Sequence, residues 1–388
     1  MKNPDFHLPT TIYIEPDLVN HSAEIIRTLG KRVLIITTST DFQLFPGPLE
    51  KIAQDLKSKD MNTIIFDDLP SEPSTEDIDL AVAFARKTNC DMIVGYGGVF
   101  SINSARAIAL LTNNHIFSYD LLEKGENSEL DLHPPIPLLT WPTWPVYGFE
   151  IVPLFFLNEI ETMQKRSFFH RELYPVSTLI DPSIALGIGE EMSMRSGISG
   201  LAMAMESIVS KLNNDIINTF ALKAIDFTFR NLGKIYTEPE NVTYRGQIAT
   251  ASVMSGIAFS TSYSSLSLGI SMALSSLTSI SLENAMCILL PHIMEYNLTA
   301  SPGKYVQMSK VMGEDVKEIT VIEAAIKAVE AVRKLESDLG IPHRLSAYDI
   351  PKESFRSVAD LAITYPFVEN GPRTLSASEI ETILIAAY

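Results

Sequence analysis

The chain has 388 residues, 46% of them apolar, enough for two domains of ordinary size with substantial cores and too apolar for a disordered chain. A formal net charge of −17 argues against nucleic acid and against an anionic membrane surface, since both are recognised by clustered Lys and Arg. Cys90 and Cys287 are too few for a disulfide framework or a Cys-rich metal site, and each reads as a small buried residue.

From the N-terminus, the first seventeen residues carry no continuous apolar stretch of the kind a leader peptide needs, so a cytoplasmic protein is expected. Val33–Thr38 is a short β-rich apolar run, and Leu49, Ile52, Ala53 and Leu56 then follow a helical spacing. Asn62–Asp67 reads as a second strand. Ser74 and Asp77 have the spacing of a capping box, opening a helix over 78–87 with Ile78, Val82 and Ala85 on one side. Met92–Gly98 reads as a third strand ending in glycines, and 104–112 as the next helix. This β-α-β-α-β-α order predicts a parallel sheet with crossover helices. Pro135–Trp141 and Ser177–Asp181 read as further strands.

After Pro182 the period changes. Ile198, Leu201, Met205, Ile208, Val209 and Leu212 recur at a helical spacing, and helical patterns continue over 220–236, 319–335 and 376–388. Ser376 and Glu379 form a second capping-box pattern. No charge falls between Arg245 and Glu283, but 12 of the 27 residues from Gly256 to Leu282 are Ser or Thr, too polar for a bilayer span. Small residues at that density suit closely packed helices. The expected fold is an α/β N-terminal domain with a Rossmann-like parallel sheet (residues 1–182) followed by an all-α C-terminal domain (183–388). No internal repeat of 20–50 residues is evident.

Five local segments occur in a fixed order. Gly97-Gly98-Val99-Phe100-Ser101-Ile102-Asn103-Ser104-Ala105-Arg106 follows the third strand, and Pro142-Thr143-Trp144-Pro145-Val146-Tyr147-Gly148-Phe149-Glu150 follows the next. Then come Ile180-Asp181-Pro182, Leu289-Leu290-Pro291-His292, and Asn370 to Leu375 with the ending Ala386-Ala387-Tyr388. From about Leu8 to Tyr388 the chain resembles the iron-containing (group III) alcohol dehydrogenase family, of dehydroquinate synthase-like fold.

The resemblance implies a divalent metal held by an Asp, a His four residues later, and two further His fourteen residues apart. Here those positions carry Ser199, Met203, Leu268 and Leu282, and a second His on the helix of Leu268 becomes Met272. Leucine cannot ligate, and one hydroxyl with one thioether suits no hard or borderline cation. None of the seven His falls in either ligand segment, so no metal is expected. Glu206 stands where the family also has an acid, and His292 reads as a structural histidine.

For the dinucleotide, the resemblance implies a glycine turn whose backbone N–H groups meet pyrophosphate. Gly97 and Gly98 keep part of it, while Val99 and Phe100 add bulk, Asn103 replaces an Asp, and Arg106 replaces a Lys as a conceivable phosphate contact or a solvated residue. Thr38 takes the place of the acid that reads the ribose. NAD(P) is thus a possible cofactor, with Gly97, Gly98, Asn103, Arg106 and Thr38 its candidate contacts. Trp144, Val146, Tyr147 and Phe149 enlarge the second cofactor loop. Lys165 matches the family's lysine near the nicotinamide, or is a surface lysine.

Three readings follow. The first is a catalytically silent homologue, a partner or binding protein with a filled interior. The second is a metal-independent NAD(P)H-dependent alcohol or aldehyde oxidoreductase, with Lys165 and Tyr147 as the catalytic candidates. The third is a binder of an apolar small ligand in the interdomain cleft. A homodimer is expected from the resemblance alone.

Overall fold

The computed structural model describes residues 6–125 and 131–388. The chain divides into two compact units, Leu8–Ile188 and Gly189–Tyr388, the second including Phe6 and His7. The first unit reaches past residue 182 because Ile184, Ala185 and Ile188 pack into its core.

That unit opens with β1 (Thr11–Ile14), α1 (Ser22–Ile26), β2 (Arg32–Thr38), α2 (Ser39–Leu44), α3 (Pro46–Ser58) and β3 (Asn62–Leu69). It continues through α4 (Thr75–Thr88), β4 (Met92–Gly97), α5 (Val99–Thr112), α6 (Ser118–Lys124) and β5 (Leu138–Pro142). It closes with β6 (Leu154–Glu159), β7 (Gln164–Phe169) and β8 (Ser177–Ile180). Six strands form a parallel sheet in the order β1-β8-β5-β4-β2-β3. The continuous apolar run of β2 is explained by burial on both faces: Val33 and Ile35 enter one core, Leu34 and Ile36 the other.

The capping box at α4 forms as read, with Ser74 and Asp77 bonded reciprocally. β1 and the antiparallel hairpin β6-β7 are absent from the sequence reading. The polar Gln164, Lys165 and Arg166 break any clean alternation in β7, and β1 is only four residues long. α5 begins at Val99 instead of 104, because Gly98 already serves as its N-cap.

The second unit is helical: α7 (Glu190–Val209), α8 (Asp215–Thr237), α9 (Val242–Ser262), α10 (Leu266–Leu277) and α11 (Leu282–Leu298), then α12 (Pro302–Val311), α13 (Val321–Asp338), α14 (Phe355–Ala362) and α15 (Ala377–Ala387). α7, α10 and α11 pack against one another. The Ser-rich stretch is α9 and α10, divided at Tyr263 with φ 42°. Ser255, Ser260, Thr261 and Ser276 donate to carbonyls one turn back, so these four hydroxyls are satisfied within their own helices. Among the described residues no helix is long and apolar enough to cross a membrane.

Candidate functional site

In the α/β unit the candidate centre is the turn from β4 into α5. Gly97 has φ 134°, which a side chain would strain, and a Cβ there would strike the Asp41 carboxyl and the Ser101 hydroxyl. At Gly98 a Cβ would fall 2.8 Å from Cη2 of Trp144 and closer still to its Cζ2. The Trp144 ring therefore lies directly against the turn, with Phe45 at a centroid distance of 5.7 Å.

The backbone donors of the turn are also engaged from within. Gly98 N–H donates to Asp41 Oδ2 at 2.8 Å, and Ser101 Oγ donates to the same oxygen at 2.5 Å. Ser101 Oγ in turn accepts from Thr38 N–H at 2.8 Å. Thr38 caps α2, its hydroxyl accepting from Asp41 N–H. Burial pushes the Asp41 carboxyl up from its ordinary range, while the bonds from Ser101, Gly98 and Thr38 pull it back. The sequence reading missed Asp41. The pattern Thr38-x-x-Asp41 was visible, but it marks only a helix cap, and the carboxylate turns to the neighbouring helix instead.

The other candidates lie around α5. Arg106 is fully buried, neither solvated nor at the surface. Its guanidinium donates to the carbonyls of Leu173, Leu154 and Phe149 at 3.3, 2.9 and 2.7 Å. Desolvation lowers its pKa to about 9, with the nearby Glu150 opposing the shift, so it stays charged at neutral pH. It cross-links Phe149 in the loop before β6 and Leu154 at the start of β6 to Leu173 in the segment before β8. Asn103 is buried with neither amide atom hydrogen-bonded.

Tyr147 is buried and held at φ 44°, its ring edge-on to Phe149. Phe149 and Phe100 both pack edge-on against Phe156. Lys165 is 2% exposed, not a surface lysine, and its ammonium lies 2.9 Å from the Glu72 carboxylate.

In the helical unit, Ser199, Met203, Leu268 and Met272 are 0% exposed and Leu282 is 2% exposed. Ser199 and Met203 lie on α7, Leu268 and Met272 on α10, and Leu282 opens α11. Among the described residues no group of three or more His, Cys, Asp or Glu could hold a metal. The donor set at the family's ligand positions does not fit a divalent cation.

The acid beside it serves another purpose. Glu206 caps α10, accepting from the N–H groups of Leu266 and Ser267 and from Ser265 Oγ. Burial nevertheless pushes its pKa to about 7 against those bonds. His292 is buried, and desolvation holds its pKa below the ordinary histidine value. The Cys287 thiol is buried and pushed well up, which leaves it unreactive.

Comparison with known proteins matches the iron-containing alcohol dehydrogenase model over residues 9–182 and the C-terminal model of the Fe-containing alcohol dehydrogenase family over 193–388. The chain is 25% identical to 1,3-propanediol dehydrogenase of Klebsiella pneumoniae over 387 residues, covering 99% of this chain and 98% of the relative. It is 23% identical to the NAD-dependent methanol dehydrogenase of Bacillus methanolicus, covering 98% of each. A solved 1,3-propanediol oxidoreductase superposes with a TM-score of 0.93 at 25% identity, over 99% of this chain and 100% of that one. An alcohol dehydrogenase from Oenococcus oeni gives 0.94 at 22% identity, over the same shares.

Proposed function

The chain belongs to the iron-containing alcohol dehydrogenase family, and on that premise we propose that it is a catalytically silent member, kept as a partner or binding protein. The observation that carries the proposal is the ligand set: where the family resemblance puts four metal donors, this chain buries Ser199, Met203, Leu268 and Leu282. A metal that polarises a carbonyl has nothing to hold it there. The dinucleotide turn supports the same reading, since Gly98 N–H is spent on Asp41 and the Trp144 ring lies against the turn. A homodimer accompanies this reading, from the resemblance alone.

One observation favours the metal-independent oxidoreductase. Gly97 keeps the positive φ and Gly98 the bare backbone on which a pyrophosphate turn depends. That reading asks Lys165 or Tyr147 to supply a proton, and Lys165 is engaged with Glu72.

Fluorescence titration with NADH and NADPH, on protein whose metal content has been measured, separates the two. The silent reading expects no saturable binding of either nucleotide and no aldehyde-dependent oxidation. Micromolar binding by metal-free protein overturns it.

A further inference from the structure

The turn between β4 and α5 carries an intramolecular ligand. We propose that the Asp41 carboxylate occupies the phosphate position of this turn, that Trp144 closes it, and that this pair of side chains excludes a phosphate group from the turn. The inference deepens the silent reading and rests on it for its biological sense.

A helix N-terminus offers unpaired N–H groups and a partial positive charge, and an anion is the usual partner for both. α5 has no side-chain cap of its own, because its N-cap is Gly98. The partner it has comes from α2. Asp41 Oδ2 accepts from Gly98 N–H at 2.8 Å and from the Ser101 hydroxyl at 2.5 Å, so one carboxylate oxygen meets a backbone donor and a hydroxyl, two donors a phosphoryl oxygen would also use. The space is allotted as tightly as the bonds. Asp41 is 6% exposed, and the absent Cβ of Gly97 is what lets it approach. The Trp144 ring then lies against Gly98, where it takes space beside the turn that a bound phosphate group would need. A second negative charge beside the buried carboxylate is strongly unfavourable at such short range. Arg106, the nearest candidate countercharge by sequence, is buried and donates to three carbonyls.

Inorganic pyrophosphate is the probe, titrated calorimetrically at low ionic strength into wild type, Asp41→Ala, Asp41→Asn and the double variant Asp41→Ala/Trp144→Thr. Glu50→Gln, at an exposed acid of the same unit, controls for a general change in net charge. Thermal unfolding checks that each variant is folded, and Asp41→Asn keeps an acceptor for Gly98 N–H should the alanine variant be unstable. The expected result is no measurable binding to wild type or Glu50→Gln. Asp41→Asn should gain weak binding, and Asp41→Ala affinity at least about tenfold tighter than any wild-type signal, tighter again in the double variant.

Wild-type binding as tight as that of the folded Asp41 variants overturns the inference. So does a double variant that folds and stays blind to pyrophosphate, and that result leaves the silent reading standing. NADH binding by wild type without any pyrophosphate binding overturns the silent reading and leaves the exclusion at this turn intact.

Discussion

Restoring the four ligands gives a sharp prediction. The perturbation is Ser199→Asp with Met203→His, Leu268→His and Leu282→His, on helices α7, α10 and α11, which pack against one another. All four positions are buried, so three imidazoles replace side chains that now contact only protein. Each unpaired buried polar group costs about 1–3 kcal/mol, so three cost roughly 3–9 kcal/mol before the added aspartate is counted. That is a large share of the ~5–15 kcal/mol by which a domain is stable. With chelator present, the variant should be unfolded or melt far below wild type. Zinc at a thousandfold its dissociation constant should return about 4 kcal/mol, through binding to the folded state only. For a unit of this size that is an upward shift of roughly 10 °C. Differential scanning calorimetry in chelator and in zinc reads both quantities, with wild type insensitive to either. A quadruple variant as stable as wild type in chelator, and unmoved by zinc, would refute the claim that these four positions lie in a dry core.

Three further outcomes follow from the same structure. Glu206 has a pKa near 7 in the fold against 4.5 in the unfolded chain. Its raised pKa adds stability that is full below about pH 4.5 and is lost as pH rises through 7, a change of roughly 3 kcal/mol. Glu206→Gln should remove that slope, measured as the wild-type minus variant difference in urea unfolding across this window. An unchanged slope would show that Glu206 ionises normally. Arg106→Met leaves the carbonyls of Leu173, Leu154 and Phe149 without their donor and Glu150 without its counter-charge, so a loss of at least about 3 kcal/mol is expected in urea unfolding. Gly98→Ala should cost about 1–3 kcal/mol by collision with Trp144, and the cost should largely vanish in a Trp144→Thr background. Equal costs in both backgrounds would mean the ring lies elsewhere.

Much of the fold was legible because its signals are local. Apolar runs marked β2 and β4, and the Ser74/Asp77 and Ser376/Glu379 pairs marked the starts of α4 and α15. The proposal that the metal donors are lost rests on residue type alone, since no placement of a leucine makes it a donor. Three features of the site were not legible, because each depends on contacts distant in sequence. Arg106 looked like a phosphate contact or a solvated helix residue, and only the carbonyls of the loop before β6 and of Leu173 make it a cross-link. Lys165 reads in the sequence as a catalytic candidate or a surface lysine, and only the pairing of β7 with β6 buries it beside Glu72. Asp41 carried a capping pattern, and nothing in its neighbours announces that its carboxylate serves α5 rather than α2.

On the proposed reading this scaffold holds no catalytic metal. Metal content per chain, measured by mass spectrometry after loading with zinc or anaerobic ferrous iron and desalting, decides the point. No stoichiometric retention of either ion is expected. A chain that retains one ion, and loses it when Ser199 and Met203 are both replaced by Ala, would contradict it.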